Sequence, residues 1–252
     1  MTTLGAVYRP QLPPENLRSV VLAAEESGVD SLWLWEDCFL ESGIACASAA
    51  LAWTSRLKVG VGLLPVPLRN VAITAMEAAT LERLFPGRVT IGVGHGVQDW
   101  MGQVGARVAS PLTLLREYTG ALKALLAGDR VTVQGRYVQL DGVALDWPPS
   151  APMPIYVGGL GMKTLDLAGE IGDGTILDAS ADLARVKAIS STREHPVVVY
   201  VETDSRDSAF VTDLVAQVAE AGATSVILQQ SATSEDPEGF VRFVGSLDGV
   251  SA

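Results

Sequence analysis

The feature that most restricts the fold is a rhythm of short apolar runs without alternation, each closed by glycine, proline or charge and followed by a stretch of helical periodicity. Leu4 to Tyr8 is the first such run and ends at Arg9-Pro10. Pro14 then suits the first turn of a helix that carries Leu17, Val20, Val21 and Ala24 on one face and ends at Gly28. Ser31–Trp35, Leu57–Leu64 and the run from Arg88-Val89 repeat the strand pattern, with helices near Gly43 to Thr54 and from an Asn70 cap through Leu84. A fourth helix starts at Pro111, buries Leu115, Tyr118, Leu122, Leu125 and Leu126, and closes at Gly128. Behind it, Val131–Val133 and Arg136–Val138 flank Gln134-Gly135 as a small hairpin. Ile155–Val157, Thr175–Leu177, Val197–Val201 and Ser225–Leu228 complete eight strands, separated by helices such as the one striped with Val211, Leu214, Val215 and Val218. Eight strands, each followed by a helix, within 252 residues is the count and size of an α/β fold of the single (β/α)8 TIM-barrel type, one compact domain over 1–252 with the hairpin as its interruption. An open doubly wound sheet would stop at about five to seven strands, and no shift in composition marks a second domain.

Charge and composition remove other classes. A net charge of −11 argues against a nucleic-acid surface. No run approaches the ~18 apolar residues of a membrane span, and Met1-Thr2-Thr3-Leu4 carries no basic leader, so a soluble, cytoplasmic protein is expected. Cys38 and Cys46 are expected as free thiols, and no metal site is expected.

A barrel gathers every strand's carboxyl end at one mouth. That set is Tyr8-Arg9, Glu36-Asp37-Cys38, Gly62-Leu63-Leu64-Pro65, His95-Gly96, Gly158-Gly159, Asp178, Glu202 and Gln229-Gln230. Gly92, Gly94 and Gly96 strip alternate side chains from the fourth strand's exit, so its backbone can approach a flat or anionic ligand, and they surround one of only two histidines. This is not a dinucleotide fingerprint: Val97 stands where a third glycine belongs, and no helix is expected directly behind. The connection Asp99 to Ser110, with Trp100, Met101 and Arg107, is long enough to cover something. Gly158-Gly159-Leu160-Gly161 precedes a helix start, where it can form an anion site with Lys163 available to add charge, or serve only as a tight strand-to-helix turn. His95 can carry a proton at neutral pH or merely bind loop backbone. Asp37 and Glu36 can be catalytic or can pair with Arg9 or Arg69. Cys38 lacks an activating cation, and His195 falls at the opposite end of the barrel.

Taken together, Ser31–Asp37, Ala52–Gly60, Arg69, Ala79–Glu82, Pro86-Gly87-Arg88, Gly92–Gly96 and Gly158-Gly159 resemble the bacterial luciferase-like, flavin- or deazaflavin-dependent oxidoreductases over nearly the whole chain, and most closely the branch using coenzyme F420. The resemblance implies a ring lying across Gly62, Leu63, Leu64 and Pro65, a bulge with a non-prolyl cis peptide at Gly62-Leu63, ring contacts from Asp37, His95 and Gly96, and phosphate at Gly158, Gly159, Leu160 and Gly161. It implies hydride exchange between coenzyme F420 and a small organic substrate in a homodimer, with His95 or Asp37 handling the proton and Trp35, Trp100 and Met101 lining the substrate side. FMN, as in luciferase-like monooxygenases, is the alternative cofactor, and a cofactor carrier without turnover is the alternative role. Two departures bear on this: Cys38 stands where many members have histidine, and Val97 where the sugar-phosphate dehydrogenases have glutamate. The segment after the seventh strand is too short for the insertion that many members hold, which leaves a more open mouth or one closed by a partner.

Overall fold

The computed structural model describes residues 2–192 and 195–247, so the ends of the domain expected over 1–252 lie outside the described residues. Its elements are β1 (Thr3–Tyr8), α1 (Leu17–Ser27), β2 (Ser31–Leu34), α2 (Gly43–Trp53), β3 (Lys58–Pro65), α3 (Val71–Leu84), β4 (Val89–Gly94), α4 (Gln98–Gln103) and α5 (Pro111–Leu126). They continue with β5 (Val131–Gln134), β6 (Gln139–Val143), β7 (Ile155–Gly158), α6 (Met162–Ile171), β8 (Gly174–Leu177), α7 (Leu183–Ser191), β9 (Val197–Glu202), α8 (Ser208–Glu220), β10 (Ser225–Gln229) and α9 (Pro237–Gly245). Eight parallel strands close in the order β1-β10-β9-β8-β7-β4-β3-β2, and β5 and β6 pair apart from them as an antiparallel ribbon. The expected (β/α)8 barrel is therefore the fold. Pro14 opens a short 3-10 turn over Pro14–Asn16 instead of α1 itself.

Strand parity divides the apolar residues into two cores. On β2, Leu32 and Leu34 join the large core between sheet and helices, while Trp33 turns into the barrel. On β9 the same alternation sends Val197 and Val199 outward and Val198 and Tyr200 inward. The inner core consists of Val7, Trp33, Ile176, Val198, Tyr200 and Ile227, with Trp35, Leu63 and Tyr156 packed against it. Room for the two indoles and two phenols comes from inward glycines. A methyl at Gly60 would strike the Trp33 ring, one at Gly62 the Tyr200 hydroxyl, and one at Gly174 would lie 2.9 Å from Tyr156. Gly60→Ala is accordingly expected to cost about 3 kcal/mol, read as a lowered urea midpoint with unchanged slope; overpacking a dense interior costs about 1–3 kcal/mol. An unchanged midpoint would show that Trp33 can step aside.

The β3–β4 register shifts between Val61 and Leu64, and the Gly62-Leu63 peptide is cis, as the resemblance implied; Cys38-Phe39 is cis as well. Before the shift Val59 and Val61 face the helices; after it Leu63 joins the inner core and Leu64 the outer one. The bulge thus places two successive residues, Gly62 and Leu63, on the inner side.

Two local expectations change. β5 and β6 pair at Gln134 and Gln139, so the hairpin turns through 135–138 and not at Gln134-Gly135. The cause is tertiary: Glu117 on α5 accepts from the backbone N–H groups of Arg136 (2.9 Å), Tyr137 (2.8 Å) and Val138 (3.1 Å). Likewise a helix does follow the glycine stretch directly. Six-residue α4 is held by Arg107, which donates to the Gln98 carbonyl at 2.9 and 2.7 Å and pairs with Asp99 at 3.0 Å. So short a segment, with only Met101 buried, carries no periodic signal.

The amino end of the barrel is stitched by carboxylate-to-backbone bonds. Glu25 accepts from the N–H groups of Ser55 (3.0 Å), Arg56 (3.1 Å) and Leu57 (2.7 Å) and from the Ser55 hydroxyl (2.8 Å). Burial works against its charge, but these donors outweigh it and hold the carboxyl at about 2 instead of 4.5. Since the folded value is the lower one, Glu25 contributes fully above pH 4.5 and its contribution fades as pH falls toward 2. Glu25→Gln is expected to lose about 2 kcal/mol at pH 7, the scale of hydrogen bonds to a charged group, with the deficit shrinking in acid. Chemical denaturation at pH 7 and pH 3 checks this.

Candidate active site

At the carboxyl ends the barrel opens on a cavity of about 540 Å³. Its floor is the bulge, with Gly62, Leu63 and Pro65; one wall is His95, Gly96 and Val97; another is Gly158, Gly159, Leu160 and Gly161. Asp37 enters from the end of β2, beside Trp35 and Glu36, and Asp178 from the end of β8. The residues expected against the cofactor and the proton are thereby brought together, with one exception: Leu64 is 1% exposed in the outer core and does not reach the cavity; of the other strand-end residues, Tyr8, Arg9, Cys38, Glu202 and Gln230 do not line it either. For Leu64 the bulge is the reason, since it turns Leu63 in and Leu64 out.

The glycines of β4 act differently from what their spacing suggested. A Cβ at Gly92 would lie 2.5 Å from Ile176 Cδ1, and one at Gly94 2.6 Å from Leu63 Cδ1. Both make room for protein side chains, not for a ligand. Gly96, at φ +70°, is the turn that carries the chain past His95.

His95 ties two elements. Its Nδ1 lies 2.9 Å from the Gly96 carbonyl, which can only accept, so Nδ1 carries a proton, and Nε2 lies 3.1 Å from the Thr164 hydroxyl, from which it accepts when the ring is neutral. Thr164 is in the first turn of α6 and buried. Both ring nitrogens are thus engaged within the protein, which joins the exit of β4 to the start of α6.

The two carboxylates after β2 separate in role. Glu36 accepts from Arg69 at 2.9 Å and from the Gly43 N–H at 2.9 Å, anchoring α2, and it is therefore a fold-holding ion pair that also touches the cavity. Its Oε1 is buried without a hydrogen-bond partner. Asp37 is pushed above the usual carboxylate range by burial, opposed by the Arg9 guanidinium. Arg9 itself bonds Glu202 at 3.3 Å and the Gln230 carbonyl, and lies 5.1 Å from the Trp35 ring centre. Burial, with Glu36 and Asp37 adding to it, raises the Cys38 thiol, against a nucleophilic role.

Two further expectations need amendment. Trp35 and Trp100 line the cavity, but Met101 is fully buried behind it. Lys163 is exposed and lines a separate groove with Arg116 and Asp166, because the first turn of α6 points it away from the mouth. Residues missed in the sequence are Tyr200 and Thr164, whereas Gln229, expected at the eighth strand end, does line the cavity. Tyr200 is the more informative of the missed pair. It is buried, packs edge-on against Trp33 and Trp35 at 5.9 and 5.7 Å, and donates to the Gly62 carbonyl at 3.1 Å. Parity along Val197–Glu202 could have found it, once Val198 was taken as inward. His195 does lie at the opposite end, its Nε2 2.8 Å from the Thr175 hydroxyl.

An observation at α6 bears on ligand fit. Gly161 is its N-cap, at φ −86°, ψ 142°, and no side chain caps the helix. A Cβ there would meet nothing within 4 Å, whereas Cβ atoms at Gly158 and Gly159 would lie 2.7 Å from the Ile176 carbonyl and from Thr164 Cγ2. Internal packing accounts for the last two glycines but not for Gly161. Its bare backbone and the first-turn amides of Met162 and Lys163 form a cradle that suits a phosphate oxygen, while the Thr164 N–H donates to the Gly161 carbonyl at 2.9 Å.

The family described as luciferase-like monooxygenase matches residues 2–195. The chain is 32% identical to a 5,10-methylenetetrahydromethanopterin reductase from Methanolobus tindarius, over 71% of this chain and 54% of that one. It is 34% identical to an F420-dependent glucose-6-phosphate dehydrogenase from Kineococcus radiotolerans, over 66% of this chain and 53% of that one. It therefore spans about half the length of these curated relatives. The solved coenzyme F420-dependent tetrahydromethanopterin reductase from Methanopyrus kandleri shares the fold, with a TM-score of 0.81, 20% identity and 97% of each chain covered.

Proposed function

Given that the chain belongs to the luciferase-like monooxygenase family, we propose that it is an oxidoreductase exchanging a hydride between coenzyme F420 and a small organic substrate. The observation that carries this reading is the open Gly161 cradle at the uncapped start of α6, in the same cavity as the Gly62-Leu63 bulge. In this reading Gly158–Gly161 hold the phosphate, Gly62, Leu63 and Pro65 support one face of the ring, and His95-Gly96 border its edge. When bound, the deazaflavin supplies the two-electron acceptor or donor that the protein lacks. Asp37 holds or releases the proton at the mouth, and His95, committed at both nitrogens, positions the wall between β4 and α6. FMN is the alternative occupant of the same cradle.

We further propose a homodimer, supported by α3, whose Ile73, Met76 and Leu84 are exposed (44%, 54% and 66%) along one flank, and a cytoplasmic location, where the free Cys38 and Cys46 stay reduced. Calorimetric titration of the protein with coenzyme F420 and with FMN tests the central reading. Micromolar binding of the deazaflavin with weaker FMN binding is expected; failure of both overturns it. Binding without hydride exchange over a broad substrate panel would identify a carrier, the role that the departures at Cys38 and Val97 favour.

A further inference from the structure

We infer that the substrate half of this cavity takes an uncharged, predominantly apolar molecule and rejects anions. This rests on the reading of the cavity as the place where cofactor and substrate meet, and it adds the chemical class of the substrate. Among the described residues lining the cavity, the ionisable side chains other than His95 and the buried Tyr200 are Glu36, Asp37 and Asp178, all carboxylates. β2 and β8 are four strands apart in either direction around the closed ring, so Asp37 and Asp178 approach the mouth from opposite sides.

The cations nearest in the fold are engaged elsewhere. Arg9 is taken up by Glu202, the Gln230 carbonyl and the Trp35 face; Arg69 lies between Glu36 at 2.9 Å and Glu77 at 3.6 Å; Lys163 faces a different groove. An anion placed between the carboxylates would lose hydration and gain no partner, the usual device by which a site excludes a ligand. The one feature that welcomes negative charge is the start of α6, and the cofactor's phosphate takes that. What remains is mostly apolar, Trp35, Trp100, Val97, Leu160 and Ile176, and the two amides beside them are already engaged: Gln98 donates to the His95 carbonyl at 3.1 Å and Gln229 to Glu202 at 2.9 Å. Asp178, half-buried at the mouth, accepts from the Ser180 hydroxyl at 2.8 Å.

The test uses two probes with the same ring, cyclohexanone and cyclohexanecarboxylate, titrated by ligand-observed NMR into protein loaded with coenzyme F420. The ketone is expected to bind at least tenfold more tightly than the carboxylate. Asp178→Lys should tighten carboxylate binding at least tenfold while changing ketone binding less than threefold, with Asp178→Asn between the two. Equal or tighter carboxylate binding by the parent, no binding of the ketone, or no gain in Asp178→Lys overturns the inference. Failure to load is seen before any probe is added and counts against the proposed function alone; the same probe order is then expected in the unloaded barrel, and its reversal there overturns the inference equally.

Discussion

Gly161→Asp should make the protein harder to melt and, at the same time, weaken its hold on a phosphate-bearing cofactor by about 100-fold or more. The two effects have one cause. Gly161 is the N-cap of α6, in the extended conformation that an aspartate cap adopts, and α6 has no side-chain cap of its own. An aspartate fits without collision, because a Cβ there meets nothing within 4 Å. Its carboxylate satisfies first-turn N–H groups and complements the helix dipole, worth about 0.5–1 kcal/mol, or an increase of about 1–4 °C for a chain of this size. The same carboxylate takes the donors that a phosphate needs and sets like charge against it, a penalty of several kcal/mol, for which about 2.7 kcal/mol is already 100-fold. Differential scanning fluorimetry and cofactor titration on one preparation read both. Loss of stability together with affinity would mean the glycine serves the fold after all; unchanged affinity would move the phosphate elsewhere.

Asp37→Asn should lower turnover by about 100- to 10,000-fold, the contribution of a positioned acid or base, while cofactor affinity changes little. Burial raises the Asp37 pKa and Arg9 opposes that rise, so the ionisation limb belongs above the ordinary carboxylate range. If substrate oxidation is followed, the rate climbs with pH through that limb; if reduction is followed, it falls; in the asparagine variant the limb is absent from both. Replacing Arg9 by Met removes the opposing charge and should move the limb upward. Stability supplies the control. A carboxyl whose folded pKa is raised makes folding less favourable as pH rises through the gap between its unfolded and folded values. Asp37→Asn should therefore be at least as stable as the parent at pH 8, and a large loss there would indicate damage to the fold instead of lost chemistry.

The barrel was legible because parallel strands covered on both sides read as continuous apolar runs, and Ser31–Leu34 or Val197–Val201 need no partner to announce themselves. Strand ends could then be collected by topology alone, which brought Asp37, His95 and Gly158–Gly161 to one cavity. What failed depended on contacts between distant segments. The spacing of Gly92 and Gly94 cannot reveal whether the space they leave is filled by Ile176 and Leu63 or by a ligand. The hairpin turn was decided by Glu117, from another element, and α4 by Arg107. Many residues that carried the resemblance hold the barrel's other end. Arg88 donates to the carbonyls of Leu57 at 2.9 Å and Thr54 at 3.1 Å, and Glu82 accepts from the Gly87 N–H at 2.9 Å. In a (β/α)8 barrel that end serves stability, so such a pattern reports ancestry more directly than chemistry.

The bulge in β3 also limits how this chain can diverge. Along an ordinary strand, inside and outside alternate, and losing one residue exchanges the two faces for everything beyond it. Between Val61 and Leu64 that alternation is suspended for one step, which lets Leu63 reach the cavity while Leu64 returns to the shell of helices. Leu63 can therefore be exchanged for other side chains and the mouth reshaped residue by residue. A deletion or insertion in the same stretch would send Leu64 inward or Leu63 outward and unseat Pro65 with them. Descendants of this sequence are free to vary the surface of the floor by substitution, but its length is locked.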